Sequence, residues 1–222
     1  TADTPRPGNA KFKKLTPVDP NSTNPYQLTE ADRTVIGNTT PKFSGGFGLN
    51  ATYKGFDMSM FFNFMYDFDV LNANKIMLTT WADNKENNFL MDIASDKRWR
   101  NFDDMGNEIR YSPEVLAEFN KNATMWNPTS IGRPICISYA VEDGSFLRLN
   151  SATLGYTLPS VWTKKVGLSK VRFYVSGNNL FTLTGYSGYD PEVNIATGLT
   201  PNIDYNRYPR SRTYTFGAQL TF

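Results

Sequence analysis

From residue 43 to residue 53, Phe43, Gly45, Phe47, Leu49, Ala51 and Tyr53 alternate without error with Ser44, Gly46, Gly48, Asn50 and Thr52. Successive side chains of a strand point to opposite faces, so this stretch predicts a strand with one apolar face and one polar face. Lys54 and Gly55 then make a tight connection, the glycine supplying the positive φ that a short hairpin demands. The partner strand is expected over residues 56–68. There Phe56, Met58, Met60, Phe62, Phe64, Tyr66 and Phe68 hold the apolar phase against Asp57, Ser59, Asn63 and Asp67, with Phe61 and Met65 as exceptions.

Three more segments carry the same signal. Over residues 146–158, Leu147 and Leu149 hold one phase while Ala152, Leu154, Tyr156 and Leu158 hold the other, which predicts a bulge near Ser151. Over residues 171–183, Val171, Phe173, Val175, Gly177, Phe181 and Leu183 form the apolar phase, broken at Asn179 and Leu180. Over residues 213–222, Tyr214, Phe216, Ala218, Leu220 and Phe222 alternate with Thr213, Thr215, Gly217, Gln219 and Thr221. The connections at 54–55 and 159–170 are short, whereas those at 69–145 and 184–212 are long. Strands that cross a membrane back and forth put every second connection on the same side, and in bacterial barrels the short turns face the periplasm. Phe43 and Phe68 fall toward one end of these strands, and Tyr53, Phe56, Tyr156 and Phe222 toward the other, where interfacial girdles belong. Residues 1–42, 69–145 and 184–212 then read as outer loops. The middle one is predicted to hold a short helix around residues 113–120, opened by Ser112 with Pro113 at its first position.

Composition narrows the picture. The 222 residues are 40% hydrophobic and 14% aromatic, yet the mean hydropathy is only −0.45. Transmembrane barrels combine these because only alternate residues face lipid. No apolar run approaches the roughly 18–20 residues of a spanning helix, and residues 1–14 lack a signal-peptide pattern. The net charge of +2 is scattered, so no footprint for nucleic acid stands out. Histidine is absent and there is one cysteine, Cys136. That removes intramolecular disulfides, cysteine metal clusters and the usual histidine relays of hydrolases. The expected class is all-β: about five antiparallel strands of a large transmembrane β-barrel, completed by residues outside this chain. An open sheet in lipid leaves two edges of unpaired backbone groups at several kcal/mol each, on the order of tens of kcal/mol in total. The missing strands are expected to precede Thr1 in the intact polypeptide rather than to come from several copies of the chain.

Particular segments carry a resemblance. They are DRTVIGN at residues 32–38, PKFSGGF at 41–47, YKGFDMSMFFNF at 53–64, VEDGSFLRLNSATLGYTLP at 141–159, VRFYVSGNNLFTLTGYSGYDPEVN at 171–194 and the terminal RTYTFGAQLTF. Covering roughly half of the chain, they look like the C-terminal part of the SusC/RagA family of TonB-dependent transporters of Bacteroidetes-type bacteria. The resemblance implies a barrel of about twenty-two strands with a plug in its lumen. It also implies outer-membrane lipid around the barrel, TonB contacting segments absent from this chain, and a SusD-like surface lipoprotein as lid. The implied activity is import of a bulky nutrient, an oligosaccharide or a peptide, across the outer membrane of a Gram-negative cell. Relatives commonly carry an Asp- and Gly-rich stretch before the DRTVIGN-like segment. Here the run is KKLTPVDPNSTNPYQLTEADRTVIGN, with only Asp19 ahead of Glu30 and Asp32, and no metal is expected.

No catalytic residue, cofactor or enzyme activity is expected. SGGFG at residues 44–48 is followed by a strand rather than the helix N-terminus a phosphate loop needs. Asp190 and Glu192, with Asp103 and Asp104, have no separation fixed by sequence, which hydrolytic pairs depend on. Trp81, Trp99, Trp126, Tyr186 and Tyr189 lie in the presumed outer loops, where aromatic faces can stack on substrate; packing within the loops is the other reading. Phe222 resembles the terminal aromatic recognised by outer-membrane assembly machinery. Two other functions fit the alternation: a passive porin or adhesin barrel, and a soluble all-β carbohydrate-binding module.

Overall fold

The computed structural model describes residues 6–80, 88–94, 96–130, 135–193 and 202–222. Two compact units emerge, one of Thr1–Ile36 with Asn72–Ala140, the other of Gly37–Leu71 with Val141–Phe222. Strands in chain order are β1 (Phe43–Tyr53), β2 (Phe56–Tyr66), β3 (Asp69–Asn72), β4 (Val141–Asp143), β5 (Phe146–Thr157), β6 (Lys170–Thr184), β7 (Ile203–Asp204) and β8 (Thr213–Thr221).

The second unit is built on a five-stranded sheet in the order β1-β2-β5-β6-β8, antiparallel throughout and open rather than closed into a barrel. Its register makes the five apolar phases one surface. Leu49 pairs with Met60, Met60 with Ala152, Ala152 with Gly177 and Gly177 with Tyr214. One row along, Ala51, Met58, Leu154, Val175 and Phe216 align in the same way. This face carries no charge, and Phe216 and Phe173 on it are 81% and 52% exposed. A sandwich would bury these rings between two sheets. Stacked rings reinforce the pairing, Phe47 on Phe62 at 4.9 Å and Phe43 on Tyr66 at 5.6 Å, such pairs adding about 1 kcal/mol each.

The turns and irregularities have local causes. Lys54 and Gly55 both take positive φ, 46° and 89°, the two-residue turn whose twist matches its strands. Asp67, at φ 59°, ends β2, and its carboxylate pairs with Lys42 beside β1. In β5 the ladder skips Asn150: Phe61 faces Ser151 and Phe62 faces Leu149. That one extra residue produces the slip in alternation. Opposite it, Asn179 turns to φ 53° and its amide donates to the Ser211 carbonyl at 3.1 Å. Leu180 lies against Gly177, so its side chain fills the gap a glycine leaves on the apolar face.

The other exceptions to alternation also pack. Phe61 reaches over Gly46 and Gly48 on the polar face. Met65 packs against a small core of Phe68, Val70, Phe146, Tyr186 and Val193. Phe68, expected in an aromatic girdle, is instead 3% exposed in that core, because the chain turns at Asp67 and leaves the sheet. The row at this end is Phe43 beside Tyr66, and the row at the hairpin end is Tyr53, Phe56, Tyr156 and Phe173. A second sheet, in the order β4-β3-β7, closes the core; alternation gave no sign of strands this short. The connection after Thr157 is not bare loop either. It folds as a short helix, Ser160–Thr163, and a helical turn, Lys164–Val166, that ends at Gly167 with φ 73°.

In the first unit the helix Pro113–Phe119 starts with proline at N1, where a missing N–H costs nothing. Ser112 contributes its carbonyl to Leu116 N–H at 2.8 Å rather than a side-chain cap. Asn120 at the other end donates to the carbonyls of Leu116 and Arg100 and accepts from Arg100 N–H at 2.6 Å, tying loop to helix. Asp32 of the DRTVIGN segment is a second tie. Its Oδ1 accepts from the N–H groups of Leu15 and Thr16 and the Thr16 hydroxyl, its Oδ2 from Thr29 N–H. These donors, the backbone of Thr16 and Thr29 foremost, hold the carboxyl far below the usual carboxylate range.

Candidate functional site

The face opposite the apolar one carries the polar groups. Arg172 on β6 reaches across β5 to Asp57 on β2, with Nε at 2.9 Å from Oδ1 and the second nitrogen on Oδ2. Gly155 lies beneath: a Cβ there would collide with both partners. Tyr174 similarly lies over Gly217, and the Arg172 guanidinium stands 5.2 Å from the Tyr174 ring. The glycines of this face are therefore saddles across which long side chains meet. The opposite charges at Asp57 and Arg172 sit in the polar phase at the same end of their strands, a sequence signal that alternation alone passes over.

At the other end of the same face, Arg148 is 2% exposed. It donates to Asp190 at 2.5 Å and stands 3.7 Å from Glu192, which also holds Arg210 at 2.8 Å. The residues GYSGYDPEV after β6 are thus fastened at three further side chains besides Glu192. Tyr186 donates its hydroxyl to Asp204 at 2.7 Å, Ser187 donates to Glu142, and Asp190 accepts from Arg148. Burial first, and then the Asp204 carboxylate, raise the Tyr186 phenol well above its ordinary range, so it is a fixed donor.

The aromatic candidates separate. Tyr186 is buried in the core, and Tyr189, three residues on, is 84% exposed. In the first unit, Trp99 N–H donates to the Met125 carbonyl at 2.9 Å, which sets Trp99 on a segment paired with that of Trp126. Trp126 donates its indole N–H to the Thr79 carbonyl at 3.3 Å and meets Tyr139 edge-on at 5.0 Å. Trp81 lies outside the described residues. Trp99 lines a cleft of about 540 Å³ together with Arg98, Arg100, Phe102, Asp103, Arg110 and the 127–129 turn. Asp103 is engaged within its own loop, where the Asn107 side chain and backbone hold its carboxyl below the usual range. Phe222 follows β8 in the apolar phase and is 90% exposed.

Comparison with known proteins places this architecture. No family model matches the sequence. TonB-dependent receptor P3 of Formosa agariphila is 35% identical over 202 residues, 88% of this chain and 18% of the receptor. The TonB-dependent receptor SusC of Bacteroides thetaiotaomicron is 38% identical over 88 residues, 38% of this chain and 8% of SusC. Among solved structures, the RagAB peptide importer in its open-open state superposes with TM-score 0.64 at 25% identity, over 96% of this chain and 21% of the importer chain. The chain belongs to the SusC/RagA family of TonB-dependent receptors.

It corresponds to the C-terminal part of such a barrel and spans 18% of the length of the first of these receptors. The relatives are named as receptors and importers, not as enzymes. No helix among the described residues is long and apolar enough to cross a membrane, which leaves crossing by strands open. The five strands, their bulge and the fastened GYSGYDPEV segment are what this chain contributes to a SusC/RagA-type wall.

Proposed function

We propose that this chain supplies wall strands and outer loops of an outer-membrane barrel that imports a bulky nutrient, an oligosaccharide or a peptide. On this reading the apolar face meets lipid, the Asp57–Arg172 face meets the lumen, and the short connections lie in the periplasm. Energy arrives through TonB at a plug outside this chain, and a SusD-like lipoprotein covers the mouth. The chain itself performs no catalysis; Phe222 is a candidate recognition residue for barrel assembly. One observation carries the proposal: a charge-free apolar surface running in register across five strands and left exposed, the inverse of a water-soluble sheet.

Cysteines placed singly at Leu49 and Asn50 of the intact receptor, with Cys136 replaced, test the facing. A water-soluble thiol reagent is expected to modify position 50 and not 49, and a lipid-soluble quencher the reverse; equal aqueous labelling at both would defeat the barrel reading. Uptake separates import from passive flow. Loss of growth on the bulky nutrient in cells lacking TonB supports an energised importer, whereas unchanged growth makes the barrel a porin.

A further inference from the structure

The cleft beside Trp99 has an unbalanced charge. Arg100 is paired with Asp104 at 2.6 Å and stands 5.4 Å from the Phe119 ring, and Arg110 is paired with Glu108 at 2.9 Å. Asp103 is consumed by its own turn. Asp103 and Asp104 in the cleft and Glu108 beside it are therefore all engaged. Arg98 lines the same cleft, half-buried, and its guanidinium has no counter-ion or hydrogen-bond acceptor among the described residues. A guanidinium presents a planar fork of donors that matches a carboxylate, and partial burial strengthens that match relative to open water.

The rest of the lining offers surface to the body of the molecule that carries the carboxylate. Phe102, half exposed, offers apolar surface beside the buried Pro128, while Asn127 and Thr129 offer polar edges. The back wall is rigid. Arg100 N–H is held by the buried Asn120 side chain, Asn127 N–H donates to the Gly8 carbonyl at 2.8 Å, and Gly8 itself is packed on the Trp99 indole. A preorganised wall lowers the ordering cost of binding.

We propose that this cleft is a binding site for a carboxylate-bearing ligand, with Arg98 taking the carboxylate and Phe102 taking the body of the molecule. It rests on the import reading, since it gives the outer loops a substrate class: material that presents a free carboxylate. A uronic acid sugar and a peptide C-terminus present the same group, and the experiment distinguishes them.

The intact receptor in detergent is titrated calorimetrically with trigalacturonate and with N-acetyl-trialanine, each beside its methyl ester. Saturable binding of at least one acid, with its ester weaker by about tenfold or more, is expected, and the acid that binds identifies the source. Arg98→Gln should weaken that acid by a similar factor, with Arg98→Lys in between because it keeps charge but loses the fork. Equal binding of acid and ester, no saturable binding of either acid at millimolar concentration, or an undiminished Arg98→Gln receptor would each overturn the proposal. The ester comparison uses unaltered protein and stands even if a variant misfolds. TonB-dependent uptake measured in parallel keeps the two readings apart: uptake without acid binding removes this site alone, and acid binding without uptake removes import alone.

Discussion

Arg148 on β5 donates to Asp190 of the following long connection at 2.5 Å, and both residues are buried. Replacing Arg148 with Met would leave the Asp190 carboxylate buried without its counter-ion, at a cost of about 3 kcal/mol. The expected outcome is a lower urea midpoint for the intact barrel in lipid vesicles and faster protease cleavage between residues 185 and 212. Unchanged cleavage would mean that the loop is held by Tyr186 and Ser187 alone.

Gly155 tests the saddle under Arg172 and Asp57. A valine there would collide with both side chains. Gly155→Val is expected to cost about 1–3 kcal/mol, whereas alanine at Gly106, which has nothing within 4 Å, disturbs no neighbour although its φ of 84° strains any side chain. Denaturant midpoints of the two variants, compared with Gly155→Val in an Asp57→Ala background, give the coupling. Identical penalties in the two backgrounds would show that the salt bridge is not what the glycine accommodates.

Charge on the apolar face gives a third prediction. Val175 pairs with Leu154 and Phe216 in the interior of the sheet, and Ser176 next to it faces the other way. Val175→Lys is expected to destabilise the folded barrel by about 2–4 kcal/mol and Ser176→Lys by much less. The folded fraction on heat-modifiability gels checks this. Equal losses would place Val175 away from lipid.

Asp32 makes the first unit pH-sensitive in one direction. Its folded-state carboxyl is depressed by the Thr16 and Thr29 backbone donors, so its contribution is complete above the unfolded value of about 4 and declines as pH falls below it toward the folded value. Exchange protection of the Leu15, Thr16 and Thr29 amides should hold at pH 5 and above and weaken at lower pH; Asp32→Ala should remove it throughout. Protection that rises on acidification would contradict this sign.

Legibility in the sequence followed the length of each regular run. The five long strands and the Asn150 slip show in alternation because lipid on one side and polar contents on the other impose a strict period of two. Phe61 and Met65 looked like errors, yet each has a partner that alternation cannot name, Gly46 with Gly48 for the first and the Phe68 core for the second. The strands β3, β4 and β7 are two to four residues long, too short for any period to register. Arg148 and Asp190 lie forty-two positions apart, and Arg172 and Asp57 one hundred and fifteen, so only the fold brings them together. The cleft around Trp99 was half visible. Its tryptophan could be singled out by type, but the uncompensated Arg98 emerges only once the neighbouring acids are seen to be taken.

Asn150 also sets how this wall can change over time. It is a spare residue in the ladder: Leu147 and Leu149 face Phe64 and Phe62 on one side of it and Ala152 faces Met60 on the other, so losing it would leave every apolar position of β5 on the same face and Arg148 on the polar one. β5 can therefore shed one residue at this point without turning a charge toward hydrocarbon, whereas losing one from the regular run 152–157 would turn over the positions beyond it.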